Sequence, residues 1–133
     1  MLMQDFAASL SYKALPEDVL KVLRRSLLDS LGVAAIGSQT EMARIGTKTA
    51  RMMFGATSAS AARCLFDGNL ASLAGAAMAG AMTIDSIDAH DGTSPCKGHA
   101  GSAIFPALLA LADERSMTGQ DFATYLALAY EIS

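Results

Sequence analysis

Apolar residues recur along most of this chain at the three- and four-residue spacing of helices, with polar positions between them. In "LPEDVLKVLRRSLLDSLGVAAIGS", Val19, Val22, Leu23, Leu27, Leu31 and Ile36 form one stripe, the period of a helix that lays one face on a core. Pro16 stands at a first-turn position, and Glu17 and Asp18 follow where the helix dipole favours acids. Gly37 marks the end. A short helix over 3–11 precedes this one. A weaker helix over 41–54 follows it and stops at Gly55.

Residues 56–69 are small and polar and predict a connecting loop, with a short extended piece at Arg63–Phe66. Asp67 or Asn69 is placed to cap the next helix, "LASLAGAAMAGAMTI". That segment is crowded with alanine and glycine. Small side chains let helices approach closely, so it is expected to be the buried central helix. A helix over 101–115 is apolar on most faces, and Pro106 should kink it or mark its first turn. Thr118, with Asp121 three residues on, is a plausible N-cap for the last helix, whose stripe is Phe122, Leu126 and Ala129. The pattern runs to Ser133 with no stop signal. The expectation is an all-α fold: residues 1–133 as one multi-helix domain, truncated in mid-helix.

Composition adds one point. Apolar residues are 52 % of the 133 and charged residues 17 %, against the usual roughly 45–50 % and about 25 %. Excess apolar surface on a chain this size suggests a partner, either a second subunit or further protein. The net charge is −3 with no basic run, which argues against nucleic acid and against anionic membrane surfaces. No apolar stretch reaches the ~18 residues a membrane span needs. The early acid in "MLMQDFAASL" does not fit a secretory signal. Cys64 and Cys96 fit neither a metal spacing nor a disulfide framework, so a cytoplasmic location is the default.

One stretch departs from the pattern. Within residues 85–99 fall both histidines, three of the nine aspartates and one of the four lysines. Asp85 and Asp88 share a face if the central helix continues through them, and there they oppose its dipole. Acids flank His90 and can orient its ring. His99 lies between Gly98 and Gly101, glycines that permit close approach of a ligand or positive φ. Lys97, two residues away, can hold a carboxylate. Any one of these residues is more often a solvated turn or surface residue; the grouping favours a functional loop. Cys96 reads as a small filler.

Four segments in order carry a resemblance: "FAASLSYKALPEDVLKVLRRSLLDSLGVAAIGS", "LASLAGAAMAGAMTIDSIDAHDG", "KGHAGSAIFPALLALADE" and "TGQDFATYLALAYEI". Together they resemble the N-terminal part of the MmgE/PrpD family, over nearly the whole chain. Its members include 2-methylcitrate dehydratase, cis-aconitate decarboxylase and iminodisuccinate epimerase. The resemblance implies a helical N-terminal domain, a separate α+β C-terminal domain that is missing here, and a homodimer. It also implies cofactor-free lyase or isomerase chemistry on small di- and tricarboxylates, through a carbanion beside a carboxylate. Asp85 matches the family's first site aspartate, and His99 the histidine ahead of the second apolar helix. The expected catalytic residues are His99 as general acid/base, Asp85 to orient it or a neighbouring histidine, and His90 as a second acid/base. Lys97, Asp88, Asp91, Gly98 and Gly101 are the expected substrate-binding residues, and no metal ligands are expected.

Two other classes compete. "HD" at His90–Asp91 with Asp85 and Asp88 nearby can be read as a metal-dependent phosphohydrolase site. That site needs an upstream histidine, and none precedes His90. The chain can also be read as a catalytically inactive helical dimerisation domain or remnant.

Overall fold

A computed structural model describes residues 2–92 and 98–133. Among these the chain forms six α-helices: α1 (Met3–Ser9), α2 (Glu17–Gly37), α3 (Glu41–Met53), α4 (Leu73–Asp85), α5 (Ala100–Arg115) and α6 (Gly119–Ile132). The only sheet among the described residues is a two-residue antiparallel pair. In it β1 (Ala62–Arg63) meets β2 (Leu70–Ala71), with Ala62 opposite Ala71. The fold is all-α, as expected.

The central helix is α4. It packs against α3 and α5 most extensively, and also against α2. Its small residues are what permit this. A Cβ on Gly80 would lie 2.6 Å from the Cβ of Pro106 in α5. A Cβ on Gly75 would meet the Phe54 backbone at the end of α3 at 2.8 Å. Where α2 crosses α4 the glycine is on the other partner: a Cβ on Gly37 would run into the carbonyl oxygen of Thr83. Real Cβ atoms do not sit so close, so these crossings exist only with glycine in place.

The core has two parts. The larger gathers Leu23, Val33, Ala34, Ile84, Phe105, Leu108, Leu126 and Ala127 from α2, α4, α5 and α6. Phe105 and Ile84 are fully buried, worth about 1.5–3 kcal/mol each relative to exposure. Phe105 meets Phe122 edge-to-face across α5 and α6, with ring centroids 6.2 Å apart. The smaller part is almost all alanine with Cys64, between α3, the strands, α4 and α5. Burial pushes the Cys64 thiol up, away from the reactive thiolate. Arg63 of β1 donates to Asp113 of α5, through its backbone N–H at 2.8 Å and through its guanidinium, which holds the Asp113 carboxyl below its ordinary range.

Several local expectations are corrected. Ser72, not Asp67 or Asn69, caps α4, its side chain accepting from the Gly75 N–H. Asp67 instead accepts from the backbone and side chain of Asn69 to shape the preceding turn. The β-pairing takes Ala62 and Arg63 from the extended piece, while Phe66 turns out with φ 61°. Pro16 is the N-cap residue of α2 rather than its first turn. Val22 and Ile36 are 62 % and 61 % exposed, and Leu20, Val33 and Ala34 are buried instead. A stripe chosen by size alone misses this because the buried face of α2 is completed by small residues. Pro106 lies inside α5 and is buried, its ring filling the space that Gly80 leaves. The Thr118 N-cap is as expected, accepting from the Asp121 N–H.

Two glycine substitutions separate packing from propensity. Gly80→Ala should destabilise by about 1–3 kcal/mol through overpacking against Pro106. Gly32→Ala, in α2 with nothing within 4 Å of the added methyl, should stabilise by about 0.5–1 kcal/mol. Urea unfolding of both variants checks the opposite signs.

Candidate active site

The unusual loop begins where α4 ends. Ser86 follows Asp85, and its one hydroxyl hydrogen is shared between the carbonyl oxygens of Thr83 in α4, at 2.8 Å, and of Gly37 at the end of α2, at 3.3 Å. The end of α4 is thereby fixed to its neighbour, and Asp85 is placed on the outside. Asp88 then takes a left-handed backbone (φ 49°), which aspartate tolerates better than most residues. Its N–H bonds the Asp85 carbonyl, and the chain turns back on itself.

The turn returns His90 to Asp85. The imidazole Nε2 lies 2.7 Å from Asp85 Oδ1 and 3.8 Å from Asp88 Oδ1. The ring is buried, with 3 % of its side-chain surface exposed, while the two carboxylates are 57 % and 91 % exposed. An ionised carboxylate only accepts, so Nε2 carries the hydrogen. His90 Nδ1 is buried and has no partner among the described residues.

His99 is the N-cap residue of α5. Its ring lies against His90, with centroids 4.1 Å apart at 61°. His99 Nδ1 is 2.8 Å from the backbone carbonyl of Asp91. A carbonyl cannot donate, so the hydrogen is on Nδ1. In the neutral ring Nε2 then holds the free lone pair, the form a general base needs.

The Asp91 side chain faces the other way. Oδ1 accepts the Gly101 N–H at 3.0 Å, and Oδ2 accepts the Tyr130 hydroxyl at 2.7 Å. The phenol's one hydrogen goes to the carboxylate, so Ser26 Oγ, 2.6 Å away, donates to the phenol oxygen. The approach to α5 is close: a Cβ on Gly101 would lie 2.5 Å from Asp91 Oδ1. A carboxylate at a helix N-terminus is favoured by the exposed N–H groups and the dipole. Burial, and the carboxylate of Asp91, push the Tyr130 hydroxyl from 10.0 to about 12, with the Ser26 bond acting in the opposite direction.

Three expected site residues therefore meet: Asp85, His90 and His99. Asp88 stands at the edge of this group. Gly98 precedes His99 directly in the chain. The N–H of Gly101, expected to hold a substrate carboxylate, is donated to Asp91 instead, and both carboxylate oxygens of Asp91 are engaged within the fold. Lys97, Thr93 and Cys96 lie outside the described residues. Among the described residues no three His, Cys, Asp or Glu side chains converge as a metal site, and no helix is long and apolar enough to cross a membrane. A cleft of about 880 Å³ between α2 and α6 is lined by Val19, Val22, Leu28 and Tyr130 and reaches the loop only at Asp91. Neither histidine lines it, so the imidazole cluster and this cleft are adjacent rather than coincident.

Sequence reasoning missed Tyr130 and Ser26. Tyr130 lies four residues after Leu126, on the inward stripe of α6, where a phenol's oxygen needs a partner. That was the available signal.

The family model described as the MmgE/PrpD N-terminal domain matches residues 2–133. No curated protein and no solved structure matches the chain.

The Tyr130 network predicts an alkaline transition. Between pH 10 and about 12 the unfolded chain has released the phenol proton and the folded chain has not. Stability from this group is complete below pH 10 and is lost as the pH rises through about 12. Phenolate absorbance of the folded protein should show one of the three tyrosines titrating late, and Tyr130→Phe should remove that component.

Proposed function

The chain belongs to the MmgE/PrpD family, and from this premise we propose that Asp85, His90 and His99 perform acid–base chemistry on a small di- or tricarboxylate, as part of a lyase or isomerase. The observation that carries the reading is the 2.8 Å contact of His99 Nδ1 with the Asp91 carbonyl, which puts the hydrogen on Nδ1. With Nδ1–H bound to the Asp91 carbonyl, Nε2 is free to take a proton from the carbon beside a substrate carboxylate. The electron pair left on that carbon is delocalised into the carboxylate.

His90 is the second proton carrier, 4.1 Å away by ring centroid. Asp85 balances its positive charge when it is protonated and orients its ring, as a carboxylate orients imidazole in hydrolase triads. For dehydration, one imidazole removes the carbon-bound proton and the other protonates the departing hydroxide to give water. For epimerisation, the second imidazole returns a proton to the opposite face. For decarboxylation, carbon dioxide leaves and an imidazole protonates the carbon. Dehydration and epimerisation each need one base and one acid, decarboxylation needs only the acid, and no step requires a redox partner. Lys97, next to Gly98 and His99 in sequence, is proposed to bind a substrate carboxylate. The working assembly is proposed to be a homodimer in the cytoplasm.

A second reading is an association domain without catalysis. Its support is an exposed apolar face on α3, where Met52 and Met53 are 75 % and 72 % exposed, with Met42 and Ile45 nearly half exposed on the same helix. Light scattering together with a turnover assay on small polycarboxylates separates the two. A stable oligomer with no turnover favours the association domain.

His99→Ala should lower turnover by about 10²–10⁴-fold, the range for loss of a general acid or base, with helicity and oligomeric state unchanged. The assay is proton exchange or product formation on a panel of small di- and tricarboxylates. Near-normal turnover by the variant would remove His99 from the mechanism.

A further inference from the structure

The Asp91 carbonyl can select the His99 tautomer only if the carbonyl itself is held still. Among the described residues of the loop, little packing does this. Asp88, Ala89 and Gly92 are exposed, and Ile87 alone of residues 86–92 packs against the main core. What fixes Asp91 is its side chain, gripped from two directions. From α5 comes the Gly101 N–H at 3.0 Å; from α6 comes the Tyr130 hydroxyl at 2.7 Å. Ser26 of α2 orients the phenol by donating to its oxygen. Two separated segments thus converge on one residue of the loop, with a third behind the phenol, and the carbonyl of that residue meets the imidazole.

We propose that Tyr130 is a positioning residue: with Ser26 it holds Asp91 so that the Asp91 carbonyl keeps the His99 proton on Nδ1 and the Nε2 lone pair free. All of these hydrogen bonds run toward Asp91. Serine donates to phenol, phenol to carboxylate, and imidazole Nδ1–H to the carbonyl of the same aspartate. Two contacts from the start of α5, the His99 ring and the Gly101 N–H, land on Asp91 together, so a shift of Asp91 moves both. Gly92 leaves room for the ring: a Cβ there would lie 3.1 Å from His99 Nδ1. Tyr130 acts on the histidine through Asp91. The catalytic consequence rests on the acid–base reading of the site; the tautomer itself does not.

The test is nitrogen-15 NMR of the two imidazoles in the full chain, at a pH where the rings are neutral, with His99→Gln to assign them. In the wild type, His99 should show a protonated Nδ1 and a bare Nε2. Tyr130→Phe keeps the ring and removes the hydroxyl, and it should give a mixture of His99 tautomers. His90, held by Asp85, should keep its hydrogen on Nε2 in both proteins. Phe122→Leu, a core change on the same helix, controls for general loosening and should leave the His99 tautomer as in the wild type. Where a substrate is turned over, Tyr130→Phe should lower kcat by up to about 10²-fold, the cost of a small misplacement, with KM little changed. An unchanged His99 tautomer in Tyr130→Phe overturns the proposal, as does an equal shift in Phe122→Leu. A wild type that turns over no polycarboxylate but shows the tautomer shift in Tyr130→Phe upholds the positioning role and removes the acid–base reading.

Discussion

The backbone of α4 runs within contact distance of three neighbours, and that closeness decides most of the architecture. Gly75 admits the end of α3, Gly80 admits Pro106 of α5, and Gly37 lets α2 pass over Thr83. Helices at such separations cannot slide, because each crossing is a notch only one or two atoms wide. The end of α4 is therefore fixed relative to α2 and α5, and the Ser86 hydroxyl ties it to Gly37. Asp85 and the start of α5 hold their positions because the central helix has nowhere else to go. The many alanines are then a geometric requirement, and the loss of larger buried side chains is offset by dispersion between closely spaced backbones.

On this rigid base the loop solves a harder problem. An imidazole is buried while its carboxylate partner stays in solvent. Burying a polar ring without a hydrogen bond costs free energy, so His90 keeps Nε2 on Asp85 while its ring packs beside that of His99. The left-handed turn at Asp88 makes this possible within five residues. Asp91 then joins the loop to the N-terminus of α5, where its charge meets unpaired N–H groups rather than water. Each acid in the cluster has a different neighbour. Asp85 meets an imidazole, Asp88 is largely solvated, and Asp91 meets a helix end and a phenol.

Much of this was legible in the sequence. The glycine- and alanine-rich segment, the Thr118 cap and the clustering of titratable residues over 85–99 all follow from local rules of spacing and capping. What was not legible depends on tertiary position. The outward turn of Val22 and Ile36 follows from the direction of crossing between α2 and α4, which a period of 3.6 does not encode. Gly101 reads equally well as room for a ligand or room for the chain's own aspartate; the fold uses it for Asp91. Tyr130 lies 39 residues from Asp91, and no pairing rule joins them at that separation.

Charge sets the last constraint. Among the described residues the charged groups around the two imidazoles are carboxylates, and α4 directs the negative end of its dipole toward Asp85. Asp91 is compensated by its donors, but Asp85 and Asp88 face solvent with their charge largely unspent. A polycarboxylate brought to Nε2 of His99 meets repulsion from both, about 1 kcal/mol per pair at 4 Å even in water and more as water is excluded. The histidines can move a proton, yet they do not by themselves hold such a substrate. On the proposed reading, binding of a polycarboxylate would have to come from cations placed outside the Asp85–His90–His99 triangle. In sequence Lys97 stands two residues from His99, and it is the cation proposed to bind a substrate carboxylate. On the proposed reading the division of labour follows from electrostatics: the acids and imidazoles of the loop would serve proton transfer, and affinity for an anionic substrate would be supplied by other groups.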